Sequence, residues 1–196
     1  MSHSTRSRER QEGFSLIETM IVLGVLGIIT AISVVTNNSS RLGLTGDGAM
    51  RVVLAQMNQA RELAITQRRN MQLVFIGSNV IQIKREEIPA LAPPAPTLTT
   101  IGSVSFEGRM QFLRPISSTP ENVVTLPATS ATAFGSATEM KFTPEGTFVD
   151  QLGQTLNGTV FVALANDTLS CRAITILGST GRVRAYRWDG SQWKVV

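Results

Sequence analysis

The stretch from Phe14 to Val35 constrains this chain most. It reads FSLIETMIVLGVLGIITAISVV, 22 residues whose only ionisable side chain is Glu18. As a helix rising ~1.5 Å per residue it would extend about 33 Å, enough to cross the core of a bilayer. Residues 1–13 before it are short and polar and carry Arg6, Arg8 and Arg10. Basic flanks stay on the cytoplasmic side, so the remainder of the chain is expected to face the periplasm or the exterior. Two ordinary explanations fall short. A secretory signal peptide would suit the basic start and the small-x-small Ala31-Ile32-Ser33, but its apolar region runs to only about 7–15 residues and does not hold a carboxylate. A plain signal anchor accounts for the length and leaves Glu18 unexplained.

A carboxylate within an apolar span costs about 2.5 kcal/mol or more at a helix centre, and less near an end, so it normally has a partner. Ser15-Leu16-Ile17-Glu18 fits a capping box, with Ser15 capping the backbone and Glu18 reaching back. That local role does not explain why Gly13-Phe14 comes first. Taken together, Gly13-Phe14-Ser15-Leu16-Ile17-Glu18 resembles the type III signal of type IV pilins and pseudopilins. The resemblance implies that a prepilin peptidase cuts after Gly13 and that Phe14 becomes the N-methylated N-terminus. It also implies that Glu18 neutralises the new α-amino group, in its own chain or in an adjacent subunit, and so sets subunit register. The physics agrees: a glycine offers no side chain to obstruct cleavage, and an unpaired charge within a helix bundle is costly. Gly24 and Gly27 within the span are three apart, which is not the GxxxG packing spacing.

After Val35 the chain turns polar, TNNSSRLGLTGDG, with Gly43, Gly46 and Gly48. Glycine is a poor helix residue, so a bend, loosening or break is expected there, with Asp47 as an N-cap for a helix resuming beyond it. Helical periodicity returns with Ala49, Val53, Met57, Ala60 and Ala64, widened by Val52 and Leu63. This stripe is expected to cover a sheet, and Arg68-Arg69-Asn70 to end the helix. The rest alternates as strands do: 71–76 and 80–84 about Gly77-Ser78-Asn79, then 101–106, 109–114, 139–143, 147–150, 158–164, 171–177 and 182–188. Proline-rich 88–100 and Ser/Thr/Pro-rich 115–135 read as loop and surface segments. Phe142-Thr143-Pro144-Glu145-Gly146-Thr147 fits a type I turn, Pro144 in its second position and Gly146 in its fourth. It resembles the F-x-P-x-G turn of the GspH/FimT-type minor pseudopilins.

The net charge is only +4, too small for a general polyanion binder. The C-terminal end is nevertheless basic, with Arg172, Arg182, Arg184, Arg187 and Lys194 against Asp189. On a strand, Arg182, Arg184, Tyr186 and Trp188 share one face. Arginines there grip phosphates and aromatics stack on bases, and Gly181-Arg182-Val183-Arg184 resembles the Gly-Arg-x-Arg element of DNA-binding FimT-like pilins. The bland alternative is an edge strand kept soluble by its charges, with Tyr186 and Trp188 packing. One cysteine, Cys171, and one histidine, His3 in the expected leader, leave no Ser-His-Asp or Cys-His site in a processed chain and weaken any zinc reading. Asp47, Asp150 and Asp167 make no calcium loop.

The expected fold is α+β: a long N-terminal transmembrane helix packed on a mostly antiparallel β-sheet head. The expected divisions are a cleaved basic leader over 1–13, a transmembrane and assembly helix over 14–36, its glycine-interrupted continuation over 37–70, and a periplasmic β-rich head over 71–196. The resemblance implies a minor pilin or pseudopilin that works by assembly into a type IV pilus or type II secretion pseudopilus. Its implied partners are inner-membrane lipid, a prepilin peptidase and the other pilins of the filament. The alternative is a DNA-uptake pilin gripping DNA through Arg182, Arg184, Tyr186, Arg187 and Trp188. No cofactor, metal or catalytic constellation is expected, which leaves a membrane-tethered enzyme without support.

Overall fold

The structure, a computed structural model, describes residues 15–87, 96–120 and 130–196, and the side chains of these except at 34–42. The chain divides into two compact units, Met1–Ser40 and Arg41–Val196. Helix α1 runs from Leu16 to Gln67 and contributes to both. Of the bend, loosening or break expected at Gly43, Gly46 and Gly48, a break does not occur: α1 continues through all three. Packing overrides propensity at Gly46: a Cβ there would lie well inside contact distance of the Ser170 carbonyl and 3.3 Å from Arg172 Cζ, so only glycine lets the helix lie this close to the sheet. Asp47 is correspondingly not an N-cap. It sits inside the helix, paired with Arg172 at 2.7 Å and with Arg187.

In the second unit α1 is amphipathic as the spacing predicts. Ala49, Val53, Met57, Ala60 and Ala64 are buried, and Val52 and Leu63 pack beside them. Two antiparallel sheets share this stripe rather than one. The first has five strands, in the order β3 (Thr97–Ser105), β2 (Val80–Glu87), β1 (Met71–Ile76), β6 (Lys141–Phe142), β7 (Phe148–Val149). The second has the order β11 (Trp193–Val195), β10 (Arg182–Trp188), β9 (Asp167–Leu177), β8 (Gly158–Leu164), β4 (Met110–Phe112), with β5 (Thr132–Ala133) also paired to β8. The hairpin register places Leu73 opposite Ile83 and Met71 opposite Phe142, so their side chains meet the helix in one core. From the other sheet Val160, Val162, Ile174, Ile176 and Ala185 enter the same core.

Strands β1, β8 and β10 match the sequence reading at both ends. Two strands begin earlier than the pattern suggested. β3 starts at Thr97, in the stretch read as loop, and β9 starts at Asp167 after a tight turn in which Asn166 has φ 63°. Polar Thr-Leu-Thr-Thr and Asp-Thr-Leu-Ser form edge or exposed strand ends and give little alternating signal. Residues 88–95 and 121–129 lie outside those described. The turn at 143–146 forms as expected: Gly146 N–H donates to Thr143 O at 2.8 Å, and Gly146 adopts φ 79°.

The six-stranded sheet is buried on both faces near its middle, which is why β8 reads as an unbroken apolar run. Its second face holds Phe161, Ala163, Cys171, Ala173 and Tyr186, partly covered by Leu113, Ile116, Trp188 and Trp193. Arg114 lies over the Phe161 ring at 5.1 Å and donates to the Ile116 carbonyl at 3.0 Å, holding that covering segment down.

Candidate functional site: the apolar span and the basic strand

Gly13 and Phe14, the expected processing site, lie outside the described residues. The segment directly after them begins α1. Glu18 and Thr19 close its first turn, their N–H groups donating to Ser15 O at 3.0 and 3.2 Å. The reciprocal side-chain bonds of a capping box are not among those of the described residues. Glu18 is exposed, in the first turn where a carboxylate is favoured by the helix dipole. Leu16–Ser33 has a mean hydropathy of 2.2 and meets the length and composition needed to cross a membrane. Every side chain in it is exposed, with Leu16, Ile17 and Leu23 each more than 65 % accessible. Within its own unit no described residue covers this surface. An apolar helix exposed all round needs lipid or other apolar helices.

The structure divides the five C-terminal candidates. Arg182 and Arg184 are both exposed and share a face, as the alternation predicts. The final hairpin does not cover them, because β11 pairs only with Tyr186, Arg187 and Trp188. The other three have structural partners. Tyr186 is buried among Phe161, Cys171 and Ala173, and Trp188 stacks edge-on against Trp193 at 5.3 Å. Arg187 points to the opposite face and pairs with Asp47. The aromatics therefore pack into the sheet rather than stand free as a base-stacking surface.

Two residues on α1 outside the apolar stripe join the basic end of β10. Asn58 and Arg61 line a depression of about 470 Å³ together with Thr180, Gly181 and Arg182. No acidic side chain lines it. Arg61 is oriented by a bond from its Nε to the Gly146 carbonyl at 3.1 Å. Gly181, at φ 61°, allows this junction, since a Cβ would overlap the Gly146 oxygen and crowd Arg61. Sequence alone does not bring positions 61, 146 and 181 together.

Arg172 is the other basic residue with a defined place. It is 1 % exposed and fully engaged, with Nε on Asp47, one terminal nitrogen on the Gly43 carbonyl and the other on the carbonyls of Leu169 and Cys171. Cys171 is buried, and burial pushes its thiol up to about 12. Among the described residues no group of three or more His, Cys, Asp or Glu side chains converges on a metal-sized site.

With this geometry in place, residues 8–34 match the prokaryotic N-terminal methylation motif, so the chain carries that motif at the position read from Gly13 to Glu18. Among solved structures the chain is similar to the type IV minor pilin FimU of Pseudomonas aeruginosa strain PAO1, with 16 % identity and a TM-score of 0.47 over 76 % of this chain and 91 % of that one. A comparison with curated proteins returns no match. The architecture is an apolar N-terminal helix followed by an antiparallel β head, the fold class expected of a pilin-like chain.

Proposed function

We propose that this protein is a minor pilin or pseudopilin whose work is assembly. The leader is cut after Gly13 by a prepilin peptidase, Phe14 is N-methylated, and α1 anchors the chain in the inner membrane with its head in the periplasm. Other pilin helices then pack on the apolar span within a type IV pilus or a type II secretion pseudopilus. Glu18 pairs with the α-amino group of Phe14 in the same or a neighbouring subunit. The observation that supports this reading is the methylation motif over 8–34 overlapping an apolar, fully exposed helical span that contains one carboxylate. The intact mass of the membrane-extracted protein tests it. A chain beginning at methylated Phe14 is expected, and a chain beginning at Val34 would show an ordinary signal peptide instead.

A second reading has support of its own: DNA capture during uptake. Arg182 and Arg184 stand exposed on one face, and Arg61 and Arg182 both line a depression without acids. Such a cluster engages phosphates rather than bases, so binding would be salt-dependent and indifferent to sequence. The double variant Arg182→Gln/Arg184→Gln should then weaken DNA binding and flatten its salt dependence in a mobility-shift titration. Unchanged affinity removes this reading.

A further inference from the structure

Several cations of the head already hold a carboxylate. Arg69 and Arg85 share Glu87, Lys141 takes Glu86, Arg172 and Arg187 share Asp47, and Lys194 takes Asp189. Arg61 and Arg182, in the depression between α1 and the β9–β10 turn, hold none among the described residues. For Arg182 that is ordinary, because it is exposed and water solvates it. Arg61 is different. It is half-buried, and its bond to the Gly146 carbonyl uses Nε alone, so both terminal nitrogens are left without a partner among the described residues. The guanidinium fork is anchored at its root and open at its tips, so it loses little further freedom when an oxyanion arrives.

Two features of the depression select among oxyanions. Arg61 and Arg182 are the only cations that line it, since Arg184 does not. Two phosphate contacts give duplex DNA a salt slope of only about −1.8, against the roughly 6–10 contacts of a strongly salt-dependent DNA binder. The lining is also partly apolar, with Val183 and with Leu177, which is 45 % exposed. A phosphodiester backbone has nothing to bury against these side chains, whereas a peptide carries an apolar side chain next to a carboxylate. Asn58 and Thr180 add an amide and a hydroxyl able to pair with peptide groups.

We propose that the Arg61–Arg182 depression receives an acidic side chain, with an apolar one next to it in sequence, from the head of a different pilin in the same filament. This rests on the assembly reading, in which the head meets other heads, and names the chemistry of one such contact. The partner is a different chain, so the contact is made once and implies no repeat from copy to copy. The paired bonds of a guanidinium to a carboxylate fix the partner's orientation. A partner lacking the acid leaves Arg61 half-buried and unpaired, which gives the contact its selectivity.

The test titrates the isotope-labelled full chain in detergent micelles with the capped peptide acetyl-Gly-Leu-Glu-Leu-Gly-amide, followed by NMR at the amides of Asn58 and Gly181. These signals should move saturably, and the peptide with glutamine in place of its glutamate should bind at least about tenfold more weakly, the loss of one charge-assisted contact. Arg182→Gln, a change to an exposed side chain, should weaken the acidic peptide about tenfold as well. Arg184→Gln, exposed but outside the depression, should leave its affinity within about twofold. No saturable shift, equal binding of the two peptides, or equal effects of the two variants would overturn the proposal. Displacement of the peptide by a short DNA duplex that itself binds more tightly overturns it too, and assigns the arginines to phosphate. In cells making the protein, a benzophenone side chain placed at exposed Thr180 should crosslink to a chain whose own N-terminus is methylated phenylalanine. Crosslinks to other proteins alone, or none, overturn the choice of partner. The peptide arm does not depend on processing, so its failure leaves the mass test at Phe14 standing, and a chain beginning at Val34 in that test leaves the peptide arm readable.

Discussion

Gly46 and Gly48 lie two residues apart in α1, and alanine should have opposite effects at the two positions. In a helix interior alanine is favoured over glycine by about 0.8–1.0 kcal/mol. At Gly48 nothing lies within 4 Å of the added methyl group, so that gain is realised in full. For a domain this size it amounts to a rise in Tm of about 2–4 °C. At Gly46 the methyl would overlap the Ser170 carbonyl oxygen and press on the Arg172 guanidinium. Ser170 O belongs to the sheet backbone and Arg172 is held by four hydrogen bonds, so neither yields easily. Overpacking of this kind costs about 1–3 kcal/mol, which cancels or exceeds the propensity gain. Gly46→Ala should therefore be neutral to ~2 kcal/mol destabilised, and the two variants should differ by about 1–3 kcal/mol. Thermal unfolding of the full chain in micelles, followed by tryptophan fluorescence, reads this directly, because Trp188 and Trp193 both report on the head. Equal stabilisation by the two substitutions would refute the close approach of α1 to β9.

Three further outcomes concern the charged and buried groups. Asp47→Asn leaves the 1 % exposed Arg172 without its counter-ion and should cost about 3–5 kcal/mol in denaturant unfolding, whereas Arg187→Ala removes a 47 % exposed partner and should cost at most about 1 kcal/mol. Asp189 accepts from the backbone N–H of Gln192, from Lys194 and from the N–H of Ser191, which hold its carboxyl well below the usual range. A folded-state pKa depressed in this way stabilises above the unfolded value of about 3.9 and loses that effect as pH falls through the folded one. The Tm advantage of the parent over Asp189→Asn should thus be flat from pH 7 to about 5 and shrink in acid. The Cys171 thiol, buried and raised to about 12, should resist alkylation at pH 8 in the folded protein and react on unfolding, as mass spectrometry would show.

How far the sequence could be read depended on whether a signal was local. Gly13 to Glu18 and the span behind it are contiguous, so the motif could be read there without any fold. The stripe Ala49 to Ala64 and strand β8 were equally visible, because one periodicity or one apolar run decides them. Asp47 was misread because capping chemistry and ion-pairing look alike until β9 and β10 are placed. The same holds for Gly46: its low helix propensity points to a break, and only the Ser170 carbonyl shows that the missing side chain is what lets the helix continue. Tyr186 and Trp188 shared a face with the arginines as expected. That face changes character along its length, apolar and covered at one end and open at the other, and alternation cannot show this. Arg61 was invisible as a lining residue of the same depression as Arg182 because the two lie far apart in the chain.

The pair of arginines on Asp47 also sets an order of events. The bonds from Arg172 and Arg187 close loops of 125 and 140 residues, among the longest contacts in the head. Contacts this distant form late, and a chain is synthesised from its N-terminus. The apolar stripe of α1 is therefore finished early and covered late, once β8, β9 and β10 have emerged to complete the sheet. Until then the half-made head presents Val53, Met57 and Ala60 to any apolar surface nearby. A chain cut short before Arg172 would keep the cover of the first sheet and lack that of Ile174, Ile176 and Ala185, so completion of the core rests on its C-terminal strands.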